Sequence, residues 1–262
     1  MQEFDSLVRR VHDAGLKLLI DYIPNHVARD YHGPIVHYDY CDGDWTDTLK
    51  NDWSSAATRS EMLDILRFWL ARGVDGFRCD MVELVPPEAL GDLISAVKRD
   101  YPEALFVAEV YGKDNYRKYI EDVGFDLLYD KSGLYDSLRE ICAGRLTARA
   151  ITWNWQFLGD MQPRMLNFLE NHDEQRVASS FFLGDPCRAY AALAVSLLFN
   201  DASFMLYFGQ EAPRATTGGL QYSTSRILPR LAVFIRLSMA AAACFRRSPQ
   251  CSRGIGRCWA ML

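Results

Sequence analysis

What this sequence lacks narrows its possibilities first. No GxGxxG or GxxxxGK loop follows any of its apolar runs, which removes the main nucleotide-binding reasons for an open parallel sheet. The seven cysteines (Cys41, Cys79, Cys142, Cys187, Cys244, Cys251 and Cys258) are odd in number and never form a CxxC pair. Neither a thiolate zinc site nor a dithiol redox motif is therefore indicated, and free buried thiols are expected. The opening "MQEFDSLVRRVHDAG" has the apolar spacing of an amphipathic helix (Phe4, Leu7, Val8, Val11) and lacks the charged start and apolar core of a secretion signal, so cellular location stays open. Acidic residues and lysine are missing altogether from the last 51 residues, which carry eight arginines. Residues 1–211 hold all 34 acidic side chains against 21 basic ones, a net of −13. A native surface mixes signs and uses lysine freely, so the tail does not read like the rest of the chain. The net charge of −5 disfavours nucleic acid and anionic membrane as partners, since both call for a basic surface. No partner protein is indicated either.

Six short apolar runs remain, each followed by polar residues and then by a helix-like segment. They are "LKLLIDYIPNH" (16–26), "VDGFRCD" (74–80), "ALFVAEV" (104–110), "GFDLLYD" (124–130), "RMLNFLENHD" (164–173) and "SFMLYFGQE" (203–211). Between them, helical spacing covers Glu61 to Arg72, Glu88 to Arg99, Leu134 to Leu146 and Cys187 to Phe199. Alternation of helices with strands buried on both faces predicts parallel β/α units. Polar residues gather at the carboxyl ends of four runs: Asp21, Asn25 and His26; Arg78 and Asp80; Glu109; His172 and Asp173. A closed barrel converges its strand ends on one mouth, so a (β/α)8 barrel is favoured over an open sheet. The segment 27–55, rich in Tyr, His, Asp, Gly and Trp, is too long for a simple loop and reads as a small excursion.

Arg78 and Asp80 stand two apart at a strand end, so they point the same way. They are either a structural ion pair or a carboxylate kept charged for nucleophilic work. Glu109 follows an apolar run, and is either a hydrogen-bonded structural group or a desolvated general acid. "FLENHDE" lacks the second histidine a zinc site needs. Paired carboxylates with a third anion that helps a developing oxocarbenium ion are the machinery of glycoside hydrolysis.

In order and approximate spacing, "DYIPNH", "GFRCD", "AEVYG" and "FLENHD" resemble the four short regions of the α-amylase superfamily (glycoside hydrolase family 13), and bacterial α-amylases in particular. The resemblance covers about residues 1–211. It implies an incomplete (β/α)8 barrel comprising strands three to eight, with a short excursion at 27–55 after the third strand. It also implies a retaining hydrolase of α-1,4-glucosidic bonds in starch-like glucans or maltooligosaccharides. By the same resemblance Asp80 is the nucleophile, Glu109 the acid/base and Asp173 the transition-state stabiliser; Arg78 orients Asp80, and His26 and His172 bind sugar. Asn25 matches a position that often helps hold a structural calcium, with Asp21 beside it. Many members carry Lys-His after the nucleophile where this chain has "MVELVP", so the acceptor subsite is expected to differ. Tyr31, Tyr38, Trp45, Trp53, Tyr111 and Trp153 could stack on sugar faces, although packing suits any single one better. The tail 212–262 is expected to be frame-shifted text and poorly ordered, and earlier barrel strands are expected to precede residue 1. A membrane helix over "ILPRLAVFIRLSMAAAACF" is opposed by Arg230 and Arg236 inside it. A non-catalytic carbohydrate-binding or scaffolding barrel and an α-glucan transglycosylase are the alternatives.

Overall fold

The computed structural model describes residues 1–184, 189–208, 210, 232–235 and 258–261. It divides into two compact units, 1–128 and 129–262.

In the first unit, helix α1 (Gln2–Asp13) carries Glu3 and Asp5 in its first turn and Arg10 and His12 in its last, charges that complement the helix dipole. It leads into strand β1 (Lys17–Tyr22). A two-stranded antiparallel sheet, β2 (His26–Ala28) with β3 (Thr48–Lys50), forms most of the regular structure in the excursion. Helix α2 (Ala56–Leu70) starts five residues earlier than the apolar spacing marks, because its buried stripe opens four residues before Met62 on a polar residue, Thr58, whose hydroxyl is paired with the Val36 backbone. The chain turns out of it at Gly73, whose φ of 89° lies where a side chain would be strained.

Strands β4 (Gly76–Cys79) and β5 (Leu105–Ala108) flank helix α3 (Pro87–Asp100), which begins on a proline whose missing N–H costs nothing in a first turn. After β5, the short helix α4 (Tyr116–Glu121) returns the chain to β6 (Leu127–Tyr129), which straddles the boundary between the units. Strands β1, β4, β5 and β6 pair in parallel, in that order. Every residue of β4 is buried, as expected of a strand covered on both faces. Gly76 is required by this pairing, since a Cβ there would lie 2.1 Å from the Leu105 carbonyl oxygen.

The second unit continues through a π-helical turn (Lys131–Tyr135) into α5 (Asp136–Cys142), then α6 (Arg149–Leu158) and β7 (Met165–Phe168). Helix α7 (Ala189–Leu198) connects β7 to its parallel neighbour β8 (Ser203–Tyr207). Strand β9 (Ala232–Ile235) lies antiparallel to β8, and β10 (Cys258–Met261) antiparallel to β9.

The six parallel strands fall on the six apolar runs of the sequence, and the architecture is an incomplete (β/α)8 barrel. Of the tail expected to be frame-shifted, only β9 and β10 belong to the described residues; Cys187 and Glu211, named above in a helix and a strand run, lie outside them. No helix among the described residues is long and apolar enough to cross a membrane.

Candidate active site

The register of the first unit brings its charged residues together. Asp21 of β1 stands opposite Arg78 of β4, and Arg78 opposite Val107 of β5. The ladder runs one step further: the Asp80 N–H donates to the Tyr22 carbonyl (2.9 Å), and the Glu109 N–H to the Cys79 carbonyl (3.1 Å). Asp21, Arg78, Asp80 and Glu109 thereby occupy the carboxyl ends of three adjacent parallel strands, where barrels carry their chemistry.

Arg78 is the hub. Its side chain is wholly buried, and Nη1 donates to Asp80 Oδ1 (2.7 Å) and to both oxygens of Asp21 (3.0 and 3.3 Å). Nη2 lies 2.8 Å from Glu109 Oε1. One desolvated guanidinium thus faces three carboxyl groups, a number it cannot neutralise if all are ionised. Burial decides which one yields. The Glu109 side chain is 1% exposed, against 20% for Asp80 and 42% for Asp21. Loss of solvation pushes the Glu109 carboxyl up to about 7, with Asp80 adding to the rise, although Arg78, the Met81 N–H and the Tyr111 hydroxyl all favour its charged form. Glu109 therefore keeps its proton to near neutrality, beside an Asp80 side chain held by the Arg78 guanidinium.

Two neighbours complete the Glu109 shell. The Met81 N–H donates to Oε2 (3.0 Å) and the Tyr111 hydroxyl to Oε1 (3.0 Å). Met81 achieves this from φ 44°, ψ 45°, the one non-glycine residue of positive φ among the described residues. A side chain in the left-handed region costs free energy and persists where its surroundings impose it, typically at functional sites. Between Arg78 and Asp80, the Cys79 thiol is buried and pushed well up by desolvation, so it is an inert packing group.

His26 opens β2 with its ring 5.5 Å from that of Trp45, and its Nδ1 is buried without a hydrogen-bond partner. A cavity of about 250 Å³ runs along β1 with Asp21 and His26 in its lining, but Arg78, Asp80 and Glu109 do not border it. Asn25 is 1% exposed and donates from Nδ2 to Asp42 Oδ2 (2.8 Å), which leaves its Oδ1 buried and unpartnered. Asn51, equally buried, donates to the Pro24 carbonyl and likewise has an unpartnered Oδ1. Burial opposes ionisation of Asp42, but hydrogen bonds from Asn25 and Lys50 hold its carboxyl below the usual range. Asp21, which the sequence sets beside Asn25, is committed to Arg78 instead.

In the second unit, Asn171 Oδ1 accepts from the N–H groups of Asp173 (2.9 Å) and Glu174 (2.8 Å), and this turn ends the segment after β7. Asp173 is left half exposed, its Oδ2 3.2 Å from His172 Nε2. Below them the buried Glu170 pairs with Arg176 and accepts from the Val177 N–H.

Sequence reasoning missed the Asp21–Arg78 pairing, the Met81 N–H and Glu83. The register of β1 against β4 was the signal for the first, and it cannot be read before the strands are paired. Of the aromatics, Trp53 is a packing group whose indole N–H donates to the Pro24 carbonyl; Trp153 is 69% exposed on α6.

The family model "Alpha amylase, catalytic domain" matches residues 37–218, more than half of the chain. This chain belongs to that family. Among curated relatives, the human amino acid transporter heavy chain SLC3A1 is 28% identical over 151 residues, 40% of this chain and 22% of that protein. α-Amylase MalA of Haloarcula japonica is 28% identical over 235 residues, 80% of this chain and 33% of its own length. Among solved structures, the cyclic α-maltosyl-(1→6)-maltose hydrolase of Arthrobacter globiformis superposes with a TM-score of 0.71 at 18% identity, covering 90% of this chain and 71% of the other. That likeness is one of fold. The chain spans between 19% and 50% of the length of the curated relatives it first matches.

Proposed function

We propose that this amylase-family chain carries the catalytic core of a retaining glycoside hydrolase acting on α-1,4-glucosidic bonds of starch-like glucans or maltooligosaccharides. The observation that carries the proposal is the unequal pair on Arg78: a desolvated Glu109 with its carboxyl pushed up to about 7, and a more exposed Asp80 whose charge the guanidinium balances. Environments that separate two carboxyl groups in this way assign acid and nucleophile.

In the first step the Asp80 carboxylate attacks the anomeric carbon, the bond to the glycosidic oxygen breaks, and Glu109 gives its proton to the leaving oxygen. In the second, the Glu109 carboxylate takes a proton from water as that water attacks the anomeric carbon, which frees Asp80 and restores protonated Glu109. Arg78 holds Asp80 in place through its Oδ1 in both steps. His26, His172 and Asp173 are assigned to the sugar hydroxyls, Asp173 gripping them most strongly as the ring gains positive charge. Replacement of water by a sugar hydroxyl in the second step would make the same residues a transglycosylase, an activity carried in the name of the maltosyltransferase of Bifidobacterium longum that this chain also matches.

Reducing-sugar release from maltooligosaccharides tests the assignment. Asp80→Asn and Glu109→Gln should each lower it by roughly 10²- to 10⁴-fold or more. Equal release by the parent and Asp80→Asn would remove Asp80 as nucleophile. Inactivity that persists once the barrel strands expected before residue 1 are supplied would favour a binding or scaffolding barrel.

We further propose calcium as a structural ligand at Asn25. Support comes from the two buried amide oxygens without donors, Asn25 Oδ1 and Asn51 Oδ1, on residues joined by the hydrogen bond from the Asn51 N–H to the Asn25 carbonyl, with the Asp42 carboxylate on the Asn25 amide. Neutral oxygens of this kind suit a hard cation. No group of three or more His, Cys, Asp or Glu side chains among the described residues could hold a metal, so amide oxygens and water would supply most of the ligands and binding would be weak. The ion takes no part in the steps above.

A further inference from the structure

The segment after β4 is bolted to the segment after β5 by one side chain that the catalytic reading leaves unused. Glu83 lies in the single 3₁₀ turn Val82–Leu84 that follows Met81. Its Oε2 accepts from the Tyr111 N–H (2.7 Å) and the Gly112 N–H (3.1 Å), and its Oε1 from Asn115 Nδ2 (2.6 Å). Both oxygens are thus engaged by the loop that carries Tyr111. Gly112 belongs to the same device: a Cβ there would stand 2.7 Å from Glu83 Oε1 and 2.9 Å from Asn115 Nδ2, so only glycine lets the carboxylate come this close. A second fastening, from the Tyr119 hydroxyl of α4 to the Val82 carbonyl (3.2 Å), ties the turn to the following helix. The held tyrosine then reaches back, its hydroxyl donating to Glu109 Oε1.

We propose that Glu83 is a positioning residue for Glu109, acting through Tyr111: by gripping the Tyr111 and Gly112 backbone it fixes the hydroxyl that hydrogen-bonds the acid/base. The functional meaning rests on Glu109 being the acid/base, as argued above; the positioning itself does not. Its effect has a sign that separates it from a simple charge effect. The groups that face Glu109 are Arg78 and Asp80 at the end of β4, the Met81 N–H, Tyr111 on its own loop, and Asp21 of β1 through Arg78. Removal of a nearby negative charge would ease ionisation of Glu109 and lower its midpoint. Loss of the Tyr111 hydroxyl, a donor to the charged form, would raise it.

The test follows the ¹³C carboxyl signal of Glu109 through a pH titration of the full chain labelled in its glutamate side chains, assigned by its disappearance in Glu109→Gln. Tyr111→Phe should raise the midpoint by about one unit or more, the scale of one hydrogen bond to a charged group. Glu83→Ala should raise it in the same direction, and the double variant should raise it no further than the larger single effect. Glu83→Gln keeps one acceptor oxygen and should give a smaller rise, which also serves if Glu83→Ala does not fold. A midpoint that stays put or falls in a folded Glu83 variant overturns the proposal, as does one unmoved by Tyr111→Phe. The hydrolase reading fails by a different result, equal sugar release by the parent and Asp80→Asn, and neither outcome decides the other.

Discussion

Raising the pH from about 4.5 to about 7 should cost the folded chain stability through the titration of Glu109. The group holds its proton up to about 7 in the folded state, against an ordinary value of 4.5. Between those limits the folded chain keeps a proton that the unfolded chain releases, so stability falls by about 1.4 kcal/mol per pH unit and by roughly 3 kcal/mol in all. The contribution is complete below about pH 4.5 and gone above about pH 7. Desolvation is its principal source, opposed by Arg78, the Met81 N–H and the Tyr111 hydroxyl. Glu109→Gln cannot titrate, so the comparison of parent and variant isolates the effect. Urea unfolding followed by tryptophan fluorescence across this range should show the stability difference, parent minus variant, falling by roughly 3 kcal/mol from the acid to the neutral end. A difference constant to within about 0.5 kcal/mol would refute the desolvation argument, since it would mean Glu109 titrates alike in both states. On the proposed hydrolase reading the same proton would set the activity profile. Hydrolysis should decline as pH rises through about 7, where the donor form of Glu109 is lost.

Other consequences follow from the same geometry. Arg78→Met removes the buried cation from three carboxyl groups and should destabilise the chain by about 3–5 kcal/mol in chemical unfolding at neutral pH. A loss below about 1 kcal/mol would show that solvent already screens the cluster. Calcium at millimolar concentration should raise the melting temperature of the parent through a gain of about 1–2 kcal/mol, and Asn25→Ala should abolish the rise. A rise of equal size in Asn25→Ala would place the ion elsewhere.

The six parallel strands were legible because a strand covered on both faces must be apolar along its whole length, as "GFRC" and "LFVA" are, and because each run ends where polar residues begin. Helix α6 escaped notice, since its buried residues, Asn154 and Leu158, make too narrow an apolar stripe among exposed Trp153, Trp155 and Phe157. Spacing along the chain also put Arg78 and Asp80 on one side of one strand, a local fact of period two. The partners of Arg78 were another matter. Asp21 lies 57 residues away and Glu109 is held by Met81, 28 residues before it, so no local pattern connects them. Only the pairing of β1 with β4 and of β4 with β5 sets these groups around one guanidinium. The sequence by itself therefore determined which residue types stand at the strand ends, because periodicity and burial act over a few neighbours. The tertiary structure alone decided which carboxyl group keeps its proton, because desolvation depends on what distant segments bring to cover it.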